Sequence, residues 1–244
     1  MKIALIAALS ETNQPEANFR RMQDWARKAK AAGADLALFG EAYLQGFEAM
    51  CFDYQQDIEK TFSSGSHIIA RICAFAKENG IALGLGYYEN DHGAIYASYL
   101  LVSKEGQIMA NYRRVSPGWK EPGAHADYRE GKHFLTVRYL DKTLALMLCG
   151  DFWEDHLLPA IVEMDLHADA FLWPVHCDYA VSDWENGIRE EYRERSQILE
   201  HPVLFINNVA APADRAKGGL YHWDLGKTVA ALEMGEEGML VATV

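Results

Sequence analysis

Apolar residues occur along the chain both in short continuous runs and in stretches of helical periodicity. The run at residues 2–8 is typical of a buried strand, and residues 13–32 then place apolar or small side chains on one helical face. The same alternation continues to the carboxyl end. It predicts helices at residues 67–79, 155–166 and 182–200, and buried strands at residues 36–39, 81–88, 170–173 and 203–208.

Three pairs of neighbouring strand patterns are separated by short turns, which predicts antiparallel hairpins. They occupy residues 95–102 with 107–112, 134–139 with 142–149, and 228–233 with 239–244. Residues 113–132 contain glycine and proline and form a predicted loop long enough to carry function. Because no repeat or linker is visible, we predict a single domain over residues 1–244. It is an α/β fold with a mixed sheet, or a pair of sheets, covered by helices.

The composition and the net charge of −12 narrow the function classes. An acidic chain lacks the basic surface that nucleic acids and anionic membranes attract. No apolar run is long enough to span a bilayer or to act as a signal peptide. The four cysteines form no CxxC pair, and the nine histidines show no metal-ligand spacing. We therefore expect a cytoplasmic protein without a metal site.

Ligands of α/β proteins bind beyond the carboxyl ends of strands, and three chemically competent side chains lie near such ends here. Cys149 ends an apolar strand pattern and precedes Gly150. A lone cysteine among apolar residues is commonly inert core. At a strand-to-turn junction, however, a cysteine is exposed as a nucleophile, and the next backbone N–H can face the oxygen of its target.

Glu41 and Arg114 are the other two candidates. Glu41 follows the buried strand pattern at residues 36–39, where loss of hydration suits a carboxylate to general-base work. A solvated turn acid is the alternative. Arg114 stands near the start of the loop at residues 113–132, where an ordinary surface arginine is the alternative.

Together these segments resemble the carbon–nitrogen hydrolase (nitrilase) superfamily, which uses a Glu–Lys–Cys triad. The resemblance covers nearly the whole chain, and the motifs agree with the family in order and spacing. The three motifs that carry it are Phe39-Gly40-Glu41, Tyr112-Arg113-Arg114 and Cys149-Gly150-Asp151.

The resemblance implies a four-layer α-β-β-α sandwich with two mixed sheets, and a hydrolase that needs no metal or organic cofactor. Glu41 would take the proton of the Cys149 thiol, and the thiolate would attack an amide or nitrile carbon. The Gly150 N–H and a cationic side chain would hold the oxyanion, and water would then cleave the thioester. A small-molecule amide is the expected substrate, ahead of nitrile or N-carbamoyl compounds, because amide activities are common in the family.

The family also has a second glutamate a few residues past the lysine. Glu121 is the best match, and Glu130 is the weaker candidate. A partial similarity to the glutaminase domains of glutamine-dependent NAD synthetases suggests which residues line the substrate pocket, although each of them also suits a core or rim position. They are Phe152, Trp153, Trp173 and His176.

Arg114 occupies the position of the family lysine, and arginine–lysine exchange at a specific site is not conservative. Three interpretations follow. Arg114 supplies the positive charge itself, Lys120 folds back from the loop to supply it, or the chain keeps the fold and has lost hydrolysis. The last interpretation describes a binding or regulatory protein on the same scaffold. The resemblance further implies a homodimer that associates through the helices at residues 155–166 and 182–200.

Overall fold

The computed structural model describes residues 1–211 and 215–244, which form two six-stranded sheets, a small two-stranded sheet and the helices around them. The strands are β1 Lys2–Ala7, β2 Leu9–Glu11, β3 Leu36–Leu38, β4 Ala82–Asp91, β5 Ala94–Val102, β6 Ile108–Arg113, β7 Leu135–Tyr139, β8 Lys142–Leu146, β9 Ala170–Val175, β10 Val203–Asn207, β11 Val209–Ala211, β12 Leu220–Asp224, β13 Lys227–Leu232 and β14 Gly238–Thr243.

Along the chain, most helices connect two strands of the same sheet. They are α1 Pro15–Ala31, α2 Tyr54–Asp57, α3 His67–Asn79, α4 Leu158–Asp165, α5 Val181–Asp183 and α6 Arg189–Ser196. A π-helical turn, Trp184–Ile188, joins α5 to α6, and short 3₁₀ turns include Phe47–Ala49 and Cys149–Phe152.

Both large sheets are mixed, as the resemblance implies. The first has the order β14-β1-β3-β4-β5-β6, with parallel pairing only among β1, β3 and β4. The second has the order β13-β12-β10-β9-β8-β7, with parallel pairing only among β8, β9 and β10. The parallel pair β2–β11 links the two halves of the chain.

The packing of β1 explains why its sequence is apolar at nearly every position. Ile3 and Leu5 face the second sheet, whereas Ala4 and Ile6 face helices α1 and α3. A third apolar cluster lies between the outer face of the second sheet and α4 with α6. A strand that is buried on both faces loses the polar alternation of a surface strand. These layers confirm the four-layer α-β-β-α sandwich.

The predicted terminal hairpin is wrong. Strand β13 pairs with β12 in the second sheet, while β14 crosses to the first sheet and pairs with β1. The residue pattern shows that each strand has a buried face, but it does not show which neighbour supplies that face. Strand β12 lies in a segment to which the pattern assigned no element, although most of its residues are buried.

Several predicted ends also shift. Strand β8 ends at Leu146 instead of reaching Cys149, and the helix predicted at residues 155–166 begins as a 3₁₀ turn before α4. The helix predicted at residues 182–200 is α5, the π-helical turn and α6, and ends at Ser196. Throughout residues 1–211 and 215–244, every helix is too short or too polar to cross a bilayer.

Candidate active site

Cys149 is the first residue of the 3₁₀ turn that follows β8, three residues past the end of the strand. Its φ of +39° lies in the left-handed region, which is uncommon for a residue with a Cβ atom. The indole nitrogen of the buried Trp173 donates a hydrogen bond of 2.9 Å to the Cys149 carbonyl oxygen. A strained turn held by the core around it is typical of a functional position.

Glu41 reaches the same region from the first sheet, where it follows β3. The side chain of Asn208 fixes its backbone: Oδ1 accepts from the Gly40 N–H at 2.9 Å, and Nδ2 donates to the Glu41 carbonyl at 2.8 Å. A Cβ atom on residue 40 would lie 2.6 Å from that amide oxygen. The glycine in the Phe39-Gly40-Glu41 motif is therefore required by the close approach of Asn208.

Arg114 forms a buried ion pair with Glu41. Its Nη1 donates to Glu41 Oε1 at 2.9 Å, and the two side chains are 4% and 1% exposed. Its Nε donates to Ser116 Oγ at 2.8 Å, which fixes the plane of the guanidinium. Burial alone would lower the pKa of Arg114, but Glu41, Cys149 and Asp151 outweigh it and raise that pKa, so the side chain stays charged.

Gly150 provides the space that the guanidinium occupies. A Cβ atom on residue 150 would lie 2.3 Å from Arg114 Nη2 and 3.0 Å from Ser116 Oγ. This nitrogen donates no hydrogen bond to any residue that the structure describes. A free, charged N–H donor therefore lies directly beside the turn that carries Cys149.

Asp151 joins the cysteine turn to the arginine segment. Its Oδ2 accepts from the Leu148 N–H at 2.8 Å and from the Tyr112 hydroxyl at 2.5 Å. Its Oδ1 accepts from the N–H groups of Val115 and Ser116 at 3.0 and 2.7 Å. The fully buried carboxylate thus sets the position of Arg114 relative to Cys149.

The thiol of Cys177 acts directly on Cys149. The neighbouring thiol of Cys177 is the largest influence on the pKa of Cys149 and lowers it. Arg114 acts in the same direction, whereas burial and Glu41 oppose it. The contact with Cys149, together with burial, raises the pKa of Cys177 well above its ordinary value, so Cys177 remains a proton donor. Its sulfur also lies 3.2 Å from the Tyr192 hydroxyl.

The two loop candidates make no hydrogen bond or ion pair with Glu41, Arg114 or Cys149 among the described residues. Lys120 is paired with Glu130 at 2.6 Å and donates to the Tyr128 carbonyl at 2.6 Å, so its ammonium is occupied elsewhere. Glu121 lies on an exposed turn and makes no contact with the Glu41–Arg114 pair. The structure therefore places Arg114, and neither Lys120 nor Glu121, beside Glu41 and Cys149.

Two of the predicted pocket residues need correction. Phe152 and Trp173 are fully buried and pack edge to face at 5.0 Å, because the apolar layer outside the second sheet encloses them. Trp153 is 38% exposed and packs on Tyr192. Gly150 and His176 lie at the site itself, since the His176 carbonyl oxygen is 3.9 Å from Cys149 Sγ.

An open cleft of about 540 Å³ lies near the Arg114 side of the centre. Gly118 contributes to its wall, and a Cβ atom there would lie 3.3 Å from Arg114 Nη2. The rest of the wall combines aromatic and charged side chains, including those of Phe47, Glu48, Trp119, Lys120, Glu121, Asp178 and Arg215. The cleft can therefore hold a small polar molecule, and its wall at Gly118 adjoins Arg114.

The sequence profile of the carbon-nitrogen hydrolase family matches residues 2–244. The chain belongs to the carbon–nitrogen hydrolase family. An amidase from Nesterenkonia sp. AN1 has a similar structure, with a TM-score of 0.78, 20% identity, and coverage of 100% of this chain and 92% of that chain. A glutamine-dependent NAD+ synthetase from Acinetobacter baumannii matches with a TM-score of 0.79 and 18% identity, over 98% of this chain and 44% of that chain.

Curated relatives of this carbon–nitrogen hydrolase include fungal cyanide hydratases. The enzyme from Stereum hirsutum is 26% identical over 191 residues, which are 72% of this chain and 51% of that protein. The enzyme from Botryotinia fuckeliana is 30% identical over 121 residues, or 46% of this chain and 33% of that protein. The matched segments thus span from a third to about half of these relatives.

We predict that Gly150→Ala displaces the Arg114 guanidinium and raises the pKa of Cys149. Alkylation of Cys149 by iodoacetamide near neutral pH should slow by about 10-fold for each pKa unit gained, and should recover in alkaline solution. Peptide mass spectrometry measures the rate of Cys149 alkylation. Gly65→Ala is the matched control because Gly65 is exposed and no other atom lies near its Cβ position. If the pH dependence of Cys149 alkylation is unchanged in Gly150→Ala, the proposed role of Gly150 in placing the guanidinium is wrong.

We also predict that Cys177→Ala moves the pH profile of Cys149 alkylation upward. In the unmodified chain the midpoint should fall below about 8.5, the ordinary cysteine value. Loss of the Cys177 donor destabilises the thiolate, so the midpoint should rise. Cys51→Ser, at an exposed cysteine, should leave it in place. A downward shift in Cys177→Ala would contradict the lowering influence of Cys177 on the pKa of Cys149.

Proposed function

We propose that the protein hydrolyses a carbon–nitrogen bond of a small amide through a thioester on Cys149. Glu41 is the general base and Arg114 is the cation. The observation that carries this proposal is the buried Arg114–Glu41 pair beside the turn of Cys149. A buried charged pair, a low-pKa thiol and an accessible cleft together form the pattern expected of a catalytic site.

The first half of the reaction forms the thioester. Glu41 Oε1 accepts from Arg114, while Oε2 is buried without a hydrogen-bond partner among the described residues. Oε2 takes the thiol proton of Cys149 as the sulfur attacks the carbonyl carbon. The C=O electrons move to oxygen, and collapse of this oxyanion expels the amine, which takes the proton from Glu41.

The second half regenerates the thiol. Glu41 removes a proton from water, and the resulting hydroxide attacks the thioester carbon. Collapse breaks the C–S bond and releases a carboxylic acid, and the proton on Glu41 returns to the Cys149 sulfur. These steps use only protein groups and water.

Arg114 serves as an electrostatic group in both halves. Its Nη2, which lies beside Gly150, and the Gly150 N–H suit the developing oxyanion. Arginine keeps its proton at any working pH, so the leaving amine must be protonated by Glu41. The arginine thus replaces the charge of the family lysine but cannot act as an acid.

An amide is favoured over a nitrile as substrate. In the similar structures of the Nesterenkonia amidase, mutants carry acrylamide or the acetamide moiety of fluoroacetamide joined to the active-site cysteine. The similarity to cyanide hydratases supports a second candidate, the hydration or hydrolysis of a small nitrile at the same three residues. N-carbamoyl compounds are the remaining class to include in a substrate screen.

We predict that the protein releases ammonia from at least one short aliphatic amide. Cys149→Ala should abolish release, and Glu41→Gln should lower kcat by about 10²-fold to 10⁴-fold because no base remains. Cys51→Ser is the control. A coupled assay measures ammonia release from a panel of amides. No ammonia from amides, nitriles or carbamoyl compounds, together with an unreactive Cys149, would instead indicate a binding protein on this scaffold.

Arg114→Lys tests the role of the cation in the same assay. We predict a lower kcat at similar KM, because lysine keeps the charge but loses the fixed contact to Ser116 and leaves space beside Gly150. Activity that increases in Arg114→Lys would contradict the proposal that the site is built for arginine.

We further propose that the protein forms a homodimer through the outer helices of the second sheet. Val162 on α4 and Leu166 just after it are 41% and 72% exposed. Light scattering at micromolar concentration should give twice the chain mass, and Leu166→Glu should reduce it, because a charge would be buried at the contact. A monomer of the unmodified chain would contradict this.

A further inference from the structure

Outside the catalytic trio, one imidazole and two carboxylates converge on the wall of the cleft. Glu48 lies in the 3₁₀ turn Phe47–Ala49, and His176 and Asp178 follow the end of β9. Their ligand atoms all lie within 4.8 Å of one another. The His176 side chain is 3% exposed and that of Glu48 is 18% exposed, whereas Asp178, at 37%, faces the open cleft.

The imidazole is held between an aromatic ring and two carboxylates. Its ring stacks on Phe47, with centroids 4.3 Å apart and planes 6° apart. Nε2 lies 3.0 Å from Glu48 Oε1 and 2.8 Å from Asp178 Oδ1. Within residues 1–211 and 215–244, however, Nε2 and both Glu48 oxygens have no properly directed hydrogen bond.

The short distances from His176 Nε2 to the two carboxylates, without a directed hydrogen bond, are those of ligands that share one cation. A metal about 2.1 Å from a nitrogen and an oxygen, with a ligand–metal–ligand angle near 90°, separates those two atoms by about 3.0 Å. Each oxygen then lies well off the axis on which a ring N–H would point. The two Nε2···O separations here are close to this length, and neither contact is a directed hydrogen bond.

We propose that Glu48, His176 and Asp178 bind one divalent first-row transition metal ion, of the Mn²⁺ or Zn²⁺ class. One imidazole and two carboxylates are ligands that these ions accept, with the remaining positions left to water. The positive charge of Arg215 would lower the affinity for the metal ion. Arg215 nevertheless leaves Asp178 Oδ1 available as a ligand, because its Nη1 contacts the other oxygen, Oδ2, at 3.3 Å. Its Nε is 4.0 Å from Glu48 Oε1.

The ion would connect the segment after Glu41 to the segment after β9. Because the His176 carbonyl is 3.9 Å from Cys149 Sγ, fixing this residue also fixes the backbone next to the nucleophile. The sequence showed no metal-ligand spacing because Glu48 and His176 are far apart in the chain and follow strands of separate sheets. The proposal does not depend on the proposed hydrolase function, and metal binding is measured without substrate.

The test is equilibrium binding of Mn²⁺ to the EDTA-treated, folded protein, followed by electron paramagnetic resonance and by thermal unfolding. Mn²⁺ is the preferred probe because it binds thiolates weakly, so the four cysteines do not compete. We expect one Mn²⁺ per chain and a higher Tm on binding. Glu48→Gln, His176→Gln and Asp178→Asn should each weaken binding by about 10-fold or more.

Glu121→Gln is the matched control, since Glu121 is an exposed acid of the same cleft. It should bind Mn²⁺ like the unmodified chain. Absence of saturable binding by the folded, unmodified chain at millimolar Mn²⁺ overturns the proposal, whatever the variants do. Binding that survives equally in folded Glu48→Gln and Asp178→Asn also overturns it, because the ion would then lie elsewhere.

Discussion

A guanidinium and a carboxylate buried together are the interaction on which this site depends. Arg114 and Glu41 are almost completely removed from water, and each would be strongly destabilising if it were left alone there. Breaking such a pair by removing one partner costs about 3–5 kcal/mol in other proteins. The fold must therefore hold both groups in place, and the backbone around them is arranged to do so.

That arrangement explains the structural roles of three residues around the ion pair. Asn208 clamps the backbone of Gly40 and Glu41, and Ser116 fixes the guanidinium plane. Gly150 gives the guanidinium space that any other residue would fill. Under the proposal that Arg114 acts where the family has lysine, Gly150 supplies the matching space in the cysteine motif. This match favours a site built around arginine over one that has decayed.

The sequence predicted the layers of the fold well, because strands buried on both faces and helices with one apolar face leave clear patterns. The helix α3 has the predicted ends, and β1 differs by one residue. Pairing between distant strands leaves no such pattern, so the partners of β13 and β14 were missed. Asn208, Cys177 and Glu48 were missed for the same reason, since their partners are distant in the chain.

The resemblance correctly indicated the family, and it directed attention to Glu41, Arg114 and Cys149, which the fold brings to one place. It was less informative about the pocket. Aromatic residues near a nucleophile can face a ligand or the core, and for Phe152 and Trp173 only the packing of the second sheet decides between the two. Lys120 and Glu121 are near Arg114 in sequence, but they line the neighbouring cleft, and Lys120 pairs with Glu130 and not with Glu41.

The central claim is that Cys149 forms a covalent acyl intermediate. The most direct measurement is mass spectrometry of the acid-quenched protein during turnover of an amide substrate, followed by peptide mapping. We predict an added acyl mass on the peptide that contains Cys149, and none in Cys149→Ala. Ammonia release without an adduct and undiminished in Cys149→Ala, or an acyl group only on another cysteine, would contradict the account.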